Sequence, residues 1–432
     1  MPWRRTGRRD GERTGLVGVA ITAAALAVAM RLGAQPGGGE FRVNTTTTGN
    51  QLFPDVAIGG GRFMVVWESD QNGFSDIFGR RFDASGSPLT SEFRVNTYTS
   101  GEQRDSSVAA SLLGDFVVVW RSGAQYGQLN IFGRRIAATG APLGGEFRVN
   151  SETTLSAYDA RVASDPAGNF VVVWTADDGD FVGVVGRRFS ASGAPRGLAF
   201  RVNDATTGAQ RKPVVAADAA GGFIAVWAEG RGIVARRFDA AGVPFGTDFR
   251  VNALTSGTQE DPSVSFDASG GFVVAWTDIE PSAPVRIAAR RFSPSGAPLA
   301  SDFAVSTLTT LSRGVARVGA FPDGGFVVAW VDDYPADVHA RRFTSSGAPI
   351  GPELRINSFT SGAQSPAAVA ADASTFVVAW QSEAQDGAGD GIYAQVFSHA
   401  RKAGDVNGDG FVDVLDVFYL INFLFAGGAA PV

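Results

Sequence analysis

FRVNALTSGTQEDPSVSFDASGGFVVAWTDIEPSAPVRIAARRF, residues 249–292, holds four short runs rich in β-branched and aromatic residues. FRVN opens at Phe249, an apolar stretch around Val264 follows, FVVAW ends at Trp276, and the ARRF run ends at Phe292. Clusters of Gly, Pro, Asp and Ser separate them, so the stretch reads as four strands joined by tight turns.

The same phrases recur in the same order along the chain. FRVN also begins at Phe41, Phe93, Phe147 and Phe200, and weakens to Phe303-Ala-Val-Ser and Leu354-Arg-Ile-Asn. The second phrase ends at Trp67, Trp120, Trp174, Trp227, Trp276, Trp330 and Trp380, with spacings of 53, 54, 53, 49, 54 and 50 residues. The arginine pairs Arg80-Arg81, Arg134-Arg135, Arg187-Arg188, Arg236-Arg237, Arg290-Arg291 and Arg341-Arg342 mark the third, with Gln395-Val-Phe in the last unit. Four strands per unit and a period near 50 residues predict an all-β, seven-bladed propeller over residues 40–399, since solenoid coils are shorter and immunoglobulin-type domains nearly twice as long. The first FRVN, at Phe41, has no unit of its own, while the last unit stops after Phe397 without one. If FRVN is each blade's outer strand, the N-terminal copy completes the last blade and closes the ring, hiding exposed sheet edges.

Composition agrees with this reading. The 432 residues include 55 Gly, 32 Phe and 8 Trp but only 3 Met, which suits short strands and tight turns. Cysteine is absent, which removes disulfides, thiolate metal sites and Cys nucleophiles together. The two histidines, His339 and His399, share no motif and receive no role.

Residues 1–34 read as a bacterial export signal: Arg4, Arg5, Arg8, Arg9 and Arg13, the apolar run Leu16 to Met30, then small residues near Ala34. The fifteen-residue run falls short of a bilayer span, so a stable membrane helix is not expected, and the mature chain is expected outside the cell or on its surface. Cleavage discards six arginines against Asp10 and Glu12 and takes the formal charge from −6 to −10. An acidic surface argues against nucleic acid as a partner.

Residues present in nearly every unit are first of all packing devices. The tryptophans end runs too apolar to face water, and alternation sends the paired arginines to opposite faces, one between blades and one to solvent. One end of the ring should carry the links that follow each Trp, with fifteen acids against Arg121, Arg231 and Arg286. Among these acids, Asp177, Asp178, Asp180, Asp332, Asp333 and Asp337 are ligand-binding candidates. The other links of that end, such as NTYTSGEQ and NALTSGTQ, add Gln51, Gln103, Gln210, Gln259 and Gln364. Either these amides and carboxylates meet a glycan or a cation, or the acids solvate the protein and the glutamines brace their own turns. No carboxylate pair is singled out for glycoside cleavage, and no intact Ser-x-Asp-x-Gly-x-x-Trp box is present. Blades 3 and 6 lose the Gly-x-Gln phrase and are where a unique site is expected.

Residues 405–416, DVNGDGFVDVLD, place Asp405, Asn407, Asp409, the Phe411 carbonyl, Asp413 and Asp416 at loop positions 1, 3, 5, 7, 9 and 12, with Gly410 at the turn. That spacing supplies oxygens for Ca2+ from one loop, and Val417, Phe418, Leu420, Ile421, Leu424 and Phe425 continue at helical spacing. Residues 404–432 resemble a type I dockerin, the module that docks secreted enzymes onto cohesins of a polysaccharide-degrading scaffold. Dockerins carry two such loops and this sequence shows one, which implies a half-module or a truncated sequence. Positions 10 and 11, often hydroxyl residues that contact cohesin, are Val414 and Leu415. The resemblance implies a cohesin-like partner, or self-docking of the half-module.

The first functional expectation is a secreted, non-catalytic binding or scaffold protein whose propeller face takes a glycan or protein, with the calcium-ordered tail for attachment. The alternative is a carbohydrate-active enzyme, a glycoside hydrolase or polysaccharide lyase, since dockerins accompany such enzymes and propellers host them. A purely structural surface repeat protein is a third reading.

Overall fold

A computed structural model describes residues 38–123, 128–151, 156–177, 181–280, 283–307, 314–332, 336–399 and 414–426. The described chain forms seven four-stranded sheets. Blade 1 shows the plan: the inner strand Gln51–Gly59 is followed by Arg62–Asn72, Phe74–Asp83 and the outer Phe93–Arg94, each antiparallel to the one before. Blades 2 to 6 repeat this order over residues 103–148, 157–201, 210–250, 258–304 and 317–355. Blade 7 takes three strands from residues 364–398 and its fourth from Phe41–Arg42, which pairs with Ala394 and Tyr393. The expected propeller, closed by the N-terminal FRVN strand, is the observed architecture.

The second strands are apolar throughout because a propeller blade is covered on both faces. In blade 2, Val118 and Trp120 pack with Met64 and Val66 of blade 1, whereas Val117 and Val119 join Val172 and Trp174 of blade 3. Period-2 alternation thus feeds two separate cores rather than a core and a solvent face. The seven tryptophans are 2% exposed or less. Phenylalanines of the second and third strands stack in cross-strand pairs, such as Phe170 with Phe189 at 4.9 Å between ring centres.

The same geometry corrects the expectation for the arginine pairs. Neither member is left to solvent. The first reaches back to the FRV valine carbonyl of the preceding blade: Arg134 to Val95 at 2.7 Å, Arg187 to Val149 at 2.8 Å, Arg290 to Val251 at 2.8 Å. The second reaches forward to a hairpin carbonyl of the next blade, Arg135 to Ala191 at 2.6 Å and Arg188 to Ala240 at 2.7 Å. Opposite faces of a blade look at opposite neighbours, so alternation produces a strap in each direction.

The asparagine of FRVN also has a role the repeat did not announce. Its Oδ1 accepts the backbone N–H that begins the third strand's paired region, as in Asn96 with Ile77 at 2.7 Å and Asn252 with Ile233 at 2.8 Å. Where the phrase weakens to Phe-Ala-Val-Ser, the Ser306 hydroxyl accepts from Ile287 instead, at 3.1 Å.

A helix, Val414–Ala426, follows the propeller, with Val417, Phe418, Leu424 and Phe425 exposed. The expected leader and loop residues Asp405, Asn407, Asp409, Phe411 and Asp413 lie outside the described residues, and Asp416 falls inside the helix. No helix among the described residues is long and apolar enough to cross a membrane.

Candidate functional site

The links that follow the tryptophans share one end of the ring with the first residues of the inner strands, since Gln51 lies opposite Ser69 and Gln103 opposite Ser122. The five glutamines do not present themselves there. Gln51, Gln103, Gln210, Gln259 and Gln364 are all 1% exposed or less. Gln51, Gln103 and Gln364 accept the indole N–H of Trp67, Trp120 and Trp380 at 3.0, 3.2 and 3.2 Å. Their amides donate back to turn carbonyls, such as Gln51 to Thr48 at 3.2 Å and Gln259 to Ser256 at 2.6 Å. A polar side chain lodged beside a buried indole N–H satisfies that donor in blades 1, 2 and 7, whereas Gln210 and Gln259 accept from Asn203 at 3.2 Å and Asn252 at 2.9 Å; bonds of this kind brace the turns and leave the five amides almost no exposed surface. Replacing Gln103 by Leu is expected to orphan the Trp120 donor and cost about 1–3 kcal/mol in a urea melt, with no change in ligand binding.

Several rim acids are engaged likewise. Asp332 accepts from the Trp330 indole at 3.2 Å and sits 3.0 Å from His339, and Asp337 accepts from Asn357 at 2.6 Å and lies 3.8 Å from Arg355. Asp177 is exposed, while Asp178, Asp180 and Asp333 lie outside the described residues. Among the described residues, no group of three or more His, Asp or Glu side chains is placed to hold a metal ion.

What distinguishes one blade from another lies further in. Six inner strands carry a bulge just after the glutamine position, and in five of them the backbone turns left-handed there, at Phe53, Asp105, Asp159, Lys212 and Asp261, with φ between 51° and 58°. A side chain at such φ is disfavoured, so the ring of bulges holds these residues in place by the surrounding ladder. The backbone is the same in blades 1 to 5 and the side chain is not. Structural devices repeat, whereas this position varies at fixed geometry, and that is where specific chemistry belongs.

The variation concentrates between blades 1 and 4. Glu68, next after Trp67 and 2% exposed, accepts the Asp105 N–H at 2.7 Å across the blade 1–blade 2 boundary. Burial, together with the Asp105 charge, pushes the Glu68 carboxyl up to about 7 against the pull of that N–H and of Arg104 and Arg121. Asp105 itself is gripped by Arg121, whose Nε donates to Oδ2 at 2.6 Å. Asp159 in blade 3 is raised by burial and by Asp105, with Arg161, Arg121 and Thr175 opposing. Its neighbour Tyr158 is raised by burial and by the Asp159 charge, with Arg211 opposing. In blades 4 and 5 Lys212 meets Asp261 at 2.6 Å.

This cluster holds a carboxyl protonated near neutral pH beside an arginine-paired carboxylate, a phenol, and the exposed cations Arg104, Arg211 and Lys212. Several acids of this end are held in hydrogen bonds and ion pairs, while the inner strands of blades 2 and 4 add the exposed cations Arg104, Arg211 and Lys212. Residue-by-residue reading missed Asp105, Asp159 and Tyr158 because they sit on the inner strands, before the tryptophans. The signal was present in the differences among Phe53-Pro, Asp105-Ser, Asp159-Ala, Lys212-Pro and Asp261-Pro at one register.

No family model matches the chain, and no curated protein matches it. Among solved structures it is similar to an ulvan lyase, described as a new family of polysaccharide lyase bound to -[GlcA(1-4)Rha3S]-, with a TM-score of 0.52, 11% identity, and 84% of this chain and 96% of that one covered. A protein of unknown function from Dyadobacter fermentans matches with a TM-score of 0.51 at 11% identity over 83% of this chain and 98% of that one. The Hadza microbial sialidase Hz136 matches with a TM-score of 0.44 at 11% identity over 75% and 73% of the two chains. At such identities the likeness is one of fold alone.

Proposed function

We propose that this chain acts on an anionic polysaccharide laid across the channel mouth of blades 1 to 4, with Glu68 as proton donor and Asp105, Asp159 or Tyr158 receiving the proton that leaves. The observation that carries the reading is the split between two adjacent carboxyls: Glu68 is pushed up to about 7 while Asp105 is paired with Arg121 at 2.6 Å. A carboxyl that exchanges its proton near neutral pH beside other polar groups is the arrangement that acid–base chemistry at neutral pH needs. Arg104, Arg211 and Lys212 suit carboxylate or sulfate substituents. The likeness to a glycan-bound lyase supports the substrate class as a fold-level analogy. The test is incubation of the full chain with neutral, uronate-containing and sulfated polysaccharides, following reducing ends and unsaturated products. Unsaturated ends mark a lyase and reducing ends alone a hydrolase.

A second reading, binding without cleavage, is favoured by one observation: at 2% exposure the Glu68 carboxyl lies beneath the surface that a glycan would touch. Retention of the chain on one polysaccharide with no product from any of them would establish it.

We propose further that the chain is exported and that residues 404–432 form a calcium-ordered attachment tail. The DVNGDGFVDVLD spacing supports this, as does the apolar surface of the helix behind it, where Phe425 is 83% exposed. Chelation is expected to lower helix content and abolish capture by a cohesin-like protein or by a second copy, read by circular dichroism and pull-down; no change in either would remove calcium from the account.

A further inference from the structure

The inner strands of the seven blades enclose a channel with a cavity of about 380 Å³. Four residues beyond the glutamine position, one residue of each of blades 1 to 6 borders it, and in register these are Asp55, Ser107, Arg161, Val214, Ser263 and Arg317. Both arginines arise in the same three-residue phrase, Ala160-Arg161-Val162 and Ala316-Arg317-Val318, in the two blades that lack the Gly-x-Gln link. Three blades apart in a ring of seven, they approach the cavity from opposite sides.

Their surroundings repeat as well. Each guanidinium donates through Nη1 to the carbonyl of the preceding alanine, Arg161 to Ala160 at 2.8 Å and Arg317 to Ala316 at 3.0 Å. Among the described residues neither forms an ion pair with a carboxylate. Of the nearby acids, Asp55 accepts the N–H of Val56 at 3.0 Å and of Val108 at 2.9 Å, Asp261 is held by Lys212 at 2.6 Å, and Asp159 feels the Arg161 charge without an ion pair to it. In the blade before each arginine a serine accepts a backbone N–H, Ser107 from Val162 at 3.4 Å and Ser263 from Val318 at 3.1 Å. Each hydroxyl hydrogen is then left to donate toward the cavity.

We propose that the channel is an oxyanion site, in which Arg161 and Arg317, assisted by the Ser107 and Ser263 hydroxyls, hold one small tetrahedral oxyanion such as inorganic sulfate or phosphate between opposite blades. Two guanidiniums without carboxylate partners repel one another in an enclosed space, and a dianion between them turns that repulsion into two charge-assisted contacts. Consistently, burial and the Arg161 charge push Arg317 down to about 10, with Asp55 and Asp261 offsetting part of the effect. The ion would tie blade 3 to blade 6 through the middle of the ring, which no interblade strap at the periphery does. The site does not rest on the glycan reading: its ligand contacts are other side chains than those of the Glu68 cluster, although Arg161 also acts on Asp159 through its charge.

The test uses the full chain at constant ionic strength, with chloride exchanged for sulfate or phosphate. A saturable rise in melting temperature of about 3 °C at a hundredfold excess over the dissociation constant is expected for the wild type. It should vanish in the Arg161→Gln/Arg317→Gln double variant and persist in the Arg161→Lys/Arg317→Lys variant. An equal rise in wild type and the Gln variant is the general salting effect of such anions and overturns the site. Should the Gln variant not fold, the 31P line width of inorganic phosphate over the wild type decides: broadening reversed by sulfate supports the site, and an unbroadened line overturns it.

Discussion

A chain that begins at Thr45 is expected to melt about 5–10 °C below the full chain and to associate through the bared edge of blade 7. Val43 is fully buried in the core shared by blades 1 and 7, and removing such a side chain costs about 1.5–3 kcal/mol. Its N–H donates to Ile392 at 2.7 Å, and Asn44 accepts the Ile392 N–H at 2.8 Å. The Val43 carbonyl is also the acceptor for Arg80 of blade 1, at 2.9 Å, so the strap from blade 1 to blade 7 goes with the strand. Glu40 adds two bonds, from the Ser358 N–H and the Gln385 amide, both at 2.6 Å. Together these amount to roughly 5 kcal/mol or more, which for a chain of this size corresponds to the stated shift. The unpaired third strand of blade 7 would then offer its free edge to another molecule. Moving residues 38–48 to follow His399 restores the strand from the other side of the gap and should recover most of the lost stability and the monomer. A truncated chain that melts with the full one and stays monomeric would show that the ring holds without its closing strand.

The ring was legible in the sequence for the same reason that much of its chemistry was not. Trp, Gln and the Arg pairs recur because every blade faces the same neighbours, so a 50-residue periodicity and one displaced FRVN were enough to place the strands and the closure. Repetition also drew attention to the wrong polar residues. Gln103 and Asp332 read as link residues open to a ligand, yet Gln103 is the first residue of an inner strand and each accepts a tryptophan indole N–H. Loop polarity alone does not tell a side chain that satisfies a buried indole from one that meets solvent. Asp105 and Asp159 sit on short polar segments before each apolar run, at a bulge whose left-handed backbone is an event of register that their residue types do not announce. The two arginines of the channel were marked in the sequence, because blades 3 and 6 were the two that broke the phrase. Their position opposite one another became visible only with the ring closed.

Glu68→Gln is expected to reduce the turnover of a polysaccharide substrate by about 100-fold or more, the usual contribution of a positioned proton donor, with little effect on substrate retention. Glutamine keeps the shape and still accepts the Asp105 N–H, so the blade 1–blade 2 contact survives the change. The wild-type rate should fall as pH rises through about 7, where the Glu68 carboxyl loses its proton, and the variant should lack that limb. Stability carries an independent signature of the same proton. The folded-state value lies above the unfolded one, so the folded chain binds more protons between the two, and its stability declines as pH rises through that interval. The stabilisation is fully present below about 4.5 and lost above about 7, a change on the order of 3 kcal/mol at most. Glu68→Gln removes this slope and should leave the variant more stable than wild type at pH 8, read by thermal melts across pH 4 to 9. A variant that keeps both the slope and the turnover would move the proton donor elsewhere, with Tyr158 next in line. A variant that loses the slope but keeps the turnover would leave Glu68 as a buried acid between two blades, and the cluster as a binding surface.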